Sequence, residues 1–184
     1  MSEVPAGSHA FGPQDGQLLL KVYREGVASK MGHDLVIEVK DWSAKVDVNP
    51  EDPGQSSVEA TAQVPSFSVL EGTGGAKDLS RGDKADIKKN IDEKILSGSP
   101  TITFRSTGGA TMNGARASVP GEMTINGTTR PITVDINLDG GKARMAFRVV
   151  QTEFGIKPFK AFMGALKVRD DVDVEMEVSL PGGD

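Results

Sequence analysis

The sequence predicts an all-β fold, a single antiparallel up-and-down β-barrel of about eight strands with one amphipathic α-helix. Three observations carry that expectation. The first is an alternation of apolar and polar residues. Val58, Ala60, Ala62 and Val64 alternate with Ser57, Glu59, Thr61 and Gln63, and Ile132-Val134-Ile136-Leu138 and Val172-Val174-Met176-Val178-Leu180 follow the same rule. Successive strand side chains point to opposite faces, so each stretch is a half-buried strand with one apolar side. The second is turn chemistry between the stretches, where Asn126-Gly127 and Gly140-Gly141 suit two-residue hairpin loops. The third is a single change of period between Gly72 and Gly98. Ile87, Ile91 and Ile95 recur four apart with Lys88, Lys89, Asp92 and Glu93 between them, which is one helix with one apolar ridge. Closing the sheet would abolish its edges. A two-sheet sandwich is the second reading of the same pattern.

Taken in order, residues 1–16 hold Pro5, Gly7, Gly12 and Pro13 with little periodicity and read as a flexible N-terminal tail, ahead of one domain over residues 17–182. Leu18, Leu20 and Val22 open the first strand. After the Glu25-Gly26 corner, Leu35, Ile37 and Val39 lead to Trp42, and Val46 and Val48 continue the alternation. The run Asn49-Pro50-Glu51-Asp52-Pro53-Gly54 is a dense turn signal, and Pro65 ends or bends the strand that follows. Ser80 or Asp83 can cap the helix, and Gly98 with Pro100 stops it. The helix is expected to seal one mouth of the sheet or to pack outside it. Strands then resume through Ile102-Phe104, Met123-Ile125, Ile132 to Leu138, Met145-Phe147-Val149 and Val172 to Leu180.

Composition narrows the function. The 184 residues contain no cysteine, which removes disulfides, thiolate nucleophiles and thiolate metal sites. A net charge of −5 argues against a broad phosphate-binding surface, so nucleic acid is not an expected partner. No apolar run reaches the ~20 residues a spanning helix requires. Met1 to Gln17 lack Lys, Arg and an apolar core, so the chain is expected to be cytoplasmic, or a mature form lacking its leader.

Candidate chemical groups are few. His33 is the only histidine beyond the first residues, and bonding to nearby backbone beside Asp34 is its favoured role. One histidine without cysteine does not make a zinc site. Gly72-Thr73-Gly74-Gly75-Ala76-Lys77 lacks the Gly-Lys-Ser/Thr ending of a phosphate loop. Arg81-Gly82-Asp83, an adhesion tripeptide by spelling, falls at the helix start, where coincidence explains it. Asp170, Asp171, Asp173, Glu175 and Glu177 alternate with apolar residues and are expected on the wet face. If the strand through Met145, Phe147 and Val149 runs on regularly, Gln151 and Glu153 share its inward parity near one end and are candidate head-group contacts. No catalysis and no cofactor are expected. An enzymatic alternative, an isomerase or cyclase of an apolar substrate, would need an inward titratable pair, and only Glu153 with His33 offers one.

The inward lining is small or flexible, with Ala60, Ala62, Ala143, Met123, Met145 and Met176 prominent, so a closed sheet would not fill its own middle. By parity the lining candidates are Ala60, Ala62, Phe104, Met123, Ile125, Val134, Ile136, Met145, Phe147, Val149, Val174 and Met176. The stretch from Phe154 to Lys167 concentrates three of the seven phenylalanines with Met163, glycines and lysines. It reads either as a movable flap, touching a guest through Phe159, Phe162 and Met163 and meeting anionic surfaces through its lysines, or as a fixed plug.

The order of landmarks resembles the YceI family of lipid- or polyisoprenoid-binding proteins. The residues that carry the likeness are Gly32-His33-Asp34-Leu35 followed by Trp42, Val64-Pro65-Ser66-Phe67-Ser68-Val69, Gly75-Ala76-Lys77-Asp78-Leu79, Ser99 to Ser106, Gly121 to Pro131, and Phe154-Gly155-Ile156. The family often carries an arginine before that last motif, where this chain has Gln151, Thr152 and Glu153, so no head-group contact by that arginine is transferred. The resemblance implies a lipocalin-like barrel whose tunnel binds, stores or transports an isoprenoid quinone or polyprenyl lipid. It admits a homodimer, and many relatives look exported. A solid barrel acting as a protein-interaction module is the remaining alternative.

Overall fold

The computed structural model describes residues 4–182. In chain order the strands are β1 (Gly7–Phe11), β2 (Gly16–Val22), β3 (Arg24–Glu25), β4 (Asp34–Val39), β5 (Trp42–Val48), β6 (Ser57–Gln63) and β7 (Phe67–Thr73). Helix α1 (Arg81–Asn90) follows, then β8 (Thr101–Ser106), β9 (Thr111–Asn113), β10 (Arg116–Ile125), β11 (Thr128–Asp139), β12 (Lys142–Val150), β13 (Lys160–Ala161), β14 (Leu166–Val168) and β15 (Asp171–Ser179). Twelve strands form one antiparallel sheet in the order β1-β5-β6-β8-β10-β11-β12-β15-β2-β4-β7, with β9 beside β10, and β13-β14-β3 make a small second sheet.

The class is as the alternation predicts, but the strand count and the closure differ. The large sheet is strongly curled, and its terminal strands β1 and β7 do not hydrogen-bond to each other among the described residues, so the barrel is open along one seam. Short polar strands such as β9 add to the count, and their pairing relies on backbone groups that leave no apolar signature. The open edge is nevertheless protected. A bulge between Val36 and Ile37 breaks the regular register of β4 on β7, and α1 lies against β7, with Lys84 Nζ donating to Leu70 O at 3.1 Å and Lys88 Nζ to Pro65 O at 2.8 Å. Bulges and covering helices are how natural sheets blunt unpaired edges.

The expected tail through Gly16 is corrected in two places. Gly7–Phe11 pairs with β5 in continuous register, Gly7 opposite Val48 and Phe11 opposite Ala44, and β2 already begins at Gly16. The sequence pattern missed β1 because Ser8, His9 and Ala10 show no alternation. What β1 answers is the row of unpaired backbone donors and acceptors along β5, and its one buried anchor is Phe11.

The helix stands where the change of period places it. Ser80 is its N-cap and Asp83 completes a capping box: Asp83 N donates to Ser80 Oγ at 3.1 Å, while Ser80 N donates to the Asp83 carboxylate at 2.8 Å. The helix widens into one π turn over Ile91–Ile95 and ends where Leu96 N donates to Ile91 O. Both expected hairpins form. Asn126-Gly127 joins β10 to β11 and Gly140-Gly141 joins β11 to β12, with φ positive at all four residues, as a type I′ turn requires.

The acidic residues of β15 lie on the outer face, in a cross-strand ladder of opposite charges. Lys21 reaches Glu175 at 2.9 Å, Lys142 and Arg144 reach Glu177 at 2.5 and 2.7 Å, and Arg148 reaches Asp173 at 3.0 Å. Each exposed pair is worth little alone. Hydrogen bonds from Lys142 and Arg144 hold the Glu177 carboxyl below its usual range, the Tyr23 hydroxyl with Arg148 does the same for Asp173, and Ser118 with Arg116 for Asp135. Groups whose pKa is lower folded than unfolded stabilise the fold above the unfolded value, and that contribution disappears as the pH falls. Thermal stability should therefore be flat from neutrality to about pH 5 and decline below about pH 4. Melting curves across that range check it, and Glu177→Gln should soften the decline.

Candidate functional site: an apolar cavity inside the curled sheet

Curling the sheet brings the inward parity of nearly every long strand onto one hollow, a cavity of about 1040 Å³ that is partly open to solvent. That lies at the upper end of the ~300–1,000 Å³ usual for small-molecule sites. Its wall is read off in steps of two: Leu18, Leu20 and Val22 of β2, Leu35, Ile37 and Val39 of β4, Trp42, Ala44, Val46 and Val48 of β5, and Val58, Ala60 and Ala62 of β6. Across from these stand Ala117, Val119, Met123 and Ile125 of β10, Val134, Ile136 and Leu138 of β11, Ala143, Met145, Phe147 and Val149 of β12, and Val172, Val174, Met176 and Val178 of β15. Helix α1 and the turn after it supply Ile87, Ile91 and Ile95. The helix thus lines the hollow with the ridge its spacing predicts.

The hollow stays unfilled because small side chains meet at neighbouring positions. Ala44 lies opposite Ala60, Ala62 lies between Trp42 and Ile102, and Ala60 lies beside Phe104. Gly121 takes the inward position on β10 beside the Phe104 ring, where an added Cβ would stand 2.4 Å from Phe104 Cζ.

Polar groups on the wall are sparse, and most sit at the rims. Among the described residues Gln151 is the buried polar one, 8% exposed. Asp139 is the one titratable residue on the wall, and it sits in a hairpin with its side chain 86% exposed. Gln151 Nε2 donates to Arg169 O at 3.0 Å, and its backbone N–H donates to Asp170 O at 2.8 Å. The amide oxygen of Gln151 accepts from no group among the described residues.

Fourteen of the sixteen candidates named from sequence lie on this wall: Ala60, Ala62, Phe104, Met123, Ile125, Val134, Ile136, Met145, Phe147, Val149, Gln151, Phe159, Val174 and Met176. Phe162 and Met163 do not. They are 59% and 106% exposed, at the tip of a turn between β13 and β14. The shared parity expected for Gln151 and Glu153 also fails, because Gln151–Phe154 is a 3-10 turn and not a continuation of β12. Gln151 turns inward, whereas Glu153 is exposed and its backbone oxygen accepts from Arg130 Nε at 2.8 Å. His33 bonds through Nε2 to Lys77 O at 2.5 Å, a backbone partner as expected, but one in the loop before α1 and not in its own turn beside Asp34. Glu153 and His33 are thus both absent from the wall. No group of three or more metal-ligating side chains occurs among the described residues.

Sequence reasoning missed the wall contributed by β1, β2, β4, β5 and α1. The strands were legible, and the same parity rule extended to Leu18, Leu20, Ile37, Val39 and Trp42 would have found most of it. Phe11 carried no such signal. In the Phe154–Lys167 stretch, Phe154 and Ile156 are buried and Phe159 reaches the wall, while residues 160–168 build the small sheet over β3. The inner part packs like a plug and the outer turn is exposed.

The YceI-like domain profile matches residues 22–180. The chain belongs to the YceI-like family. Among solved structures it is similar to Burkholderia cenocepacia BcnA, with a TM-score of 0.64 and 19% identity over 89% of this chain and 94% of that one. It is also similar to the Campylobacter jejuni YCEI protein, with a TM-score of 0.54 and 16% identity over 77% of this chain and 81% of that one. At those identities the likeness is one of fold. No curated protein matches the chain in sequence.

Trp42 is the single tryptophan and is 3% exposed on the cavity wall. Its emission should be blue-shifted and shielded from iodide, and a guest carrying a quencher should darken it. Emission of the solvent-exposed kind in the folded protein would contradict this placement.

Proposed function

We propose that this YceI-like protein binds a long apolar molecule in its cavity, an isoprenoid chain ending in a hydroxyl group, and stores or carries it. The observation that supports this most is a continuous apolar hollow whose wall carries few buried polar groups, the Gln151 amide and the Trp42 indole N–H. Burial supplies the affinity. Each methylene moved from water is worth ~0.8 kcal/mol, so about fifteen contribute ~12 kcal/mol against an association cost of about 4 to 15 kcal/mol. Short guests therefore bind poorly and long ones well, and chain length becomes the first element of specificity.

Gln151 supplies the second. Its amide is oriented by donating to Arg169 O, since the flipped amide would set two acceptor oxygens against each other. The amide oxygen is then an acceptor offered to a guest, while the buried indole Nε1 of Trp42, on the same wall and without a partner among the described residues, offers a donor. A hydroxyl can meet either group, whereas a carbonyl can meet only the indole N–H, which favours a polyprenyl alcohol, or a quinol, over a quinone. The enzymatic alternative needs an acid–base pair facing the guest, but neither His33, bonded to Lys77 O, nor the exposed Glu153 lines the cavity. The solid-barrel alternative needs a filled interior.

Titrating the protein with geranylgeraniol and with its methyl ether, followed through Trp42 emission, tests the reading. The alcohol should bind about fivefold more tightly, the worth of one neutral hydrogen bond, and Gln151→Met should abolish the preference while retaining the ether. Equal binding would remove the head-group assignment, and binding of neither would remove the apolar-guest reading. Ala62→Phe, which adds bulk to the wall, should weaken the longest chains most.

A further inference from the structure

The outer turn between β13 and β14 is built in a way that core packing does not explain. Phe162 and Met163 both have positive φ, 50° and 55°, a region that side-chain-bearing residues rarely adopt. Despite that cost they are 59% and 106% exposed. The neighbouring segment repeats the feature. Val27 is 96% and Met31 62% exposed, and the two segments are tied together by Ala28 N donating to Ala165 O at 2.8 Å and by the pairing of β14 with β3. Four large apolar side chains thus crown one small sheet, next to Phe159 and Val168 on the cavity wall.

The charge around this crown runs against that of the chain. Lys30, Lys157 and Lys160 are exposed and form no ion pair among the described residues. The one carboxylate within residues 24–31 and 154–169, Glu25, is paired with Lys167 at 3.7 Å. A protein with a net charge of −5 therefore presents a cationic, apolar tip at one end of its cavity.

We infer that this tip docks on an anionic lipid bilayer, with Phe162, Met163, Val27 and Met31 entering the interfacial region and the free lysines meeting acidic head groups. Apolar residues within a cationic rim are the combination that holds interfacial segments on anionic membranes. The docking stands on the surface alone. That it sets the cavity's end against the bilayer, as a loading position, rests on the reading of the cavity as an isoprenoid site.

Sedimentation with vesicles of phosphatidylcholine, and of equimolar phosphatidylcholine and phosphatidylglycerol, tests it. The protein should partition at least tenfold more strongly onto the anionic vesicles and lose that binding in high salt. F162S/M163S should lose at least tenfold, and K157Q/K160Q about fivefold per lysine. Geranylgeraniol binding in vesicle-free solution by F162S/M163S should equal that of the parent, because neither side chain lines the cavity. A parent protein that stays with the supernatant, or variants that sediment like it, overturns the docking while leaving the guest reading untouched. A dimer abolished by F162S/M163S, with no vesicle binding, overturns it in favour of a second copy of the chain.

Discussion

The inner face of the curled sheet is almost wholly apolar, yet its side chains are too small to meet across the middle. This steric shortfall governs the rest of the molecule. Were the alanines at 44, 60 and 62 leucines or phenylalanines, the same strands would close on a filled core, and nothing about their pairing would change. Because they are alanines, the strands enclose about 1040 Å³ instead. The helix then has a purpose beyond covering an edge. Its isoleucine ridge completes the apolar wall on the side where β1 and β7 fail to join.

Stability and function draw on different faces of the same strands. The outer face carries the ladder of Lys21, Lys142, Arg144 and Arg148 with Glu175, Glu177 and Asp173, which adds cross-strand pairing to the buried contacts of Leu18, Ala143, Val149, Val174 and Val178 on the inner face of β2, β12 and β15. The glycines follow the same division. Gly16 lies so near β15 that an added Cβ would stand 1.9 Å from Glu177 O, and it lets that pair approach closely, whereas Gly121 makes room for the Phe104 ring within the hollow.

Legibility in the sequence followed periodicity. Strands with strict alternation, the four-residue repeat of Ile87, Ile91 and Ile95, and the Asn-Gly and Gly-Gly hairpins were readable because each is a local pattern with a local cause. β1 was not, since its pairing depends on an edge of β5 that only the assembled sheet creates. Gln151 and Glu153 separated because a 3-10 turn replaces the strand, and nothing in Gln151-Thr152-Glu153 announces that turn. Phe162 and Met163 were read as guest contacts from composition. Composition cannot tell which side of a turn a phenylalanine occupies, and here both residues stand exposed at the tip of a positive-φ turn. The open seam was likewise invisible, because alternation is identical in a closed sheet and in one that stops short.

The central claim is that the hollow exists to hold one long apolar molecule. Native mass spectrometry of the protein purified from its own cells, followed by extraction into organic solvent, tests that most directly. The account predicts a complex with one isoprenoid bearing a hydroxyl group, released intact on extraction. A protein that arrives at its bare chain mass, and that keeps that mass after incubation with polyprenols, would contradict it.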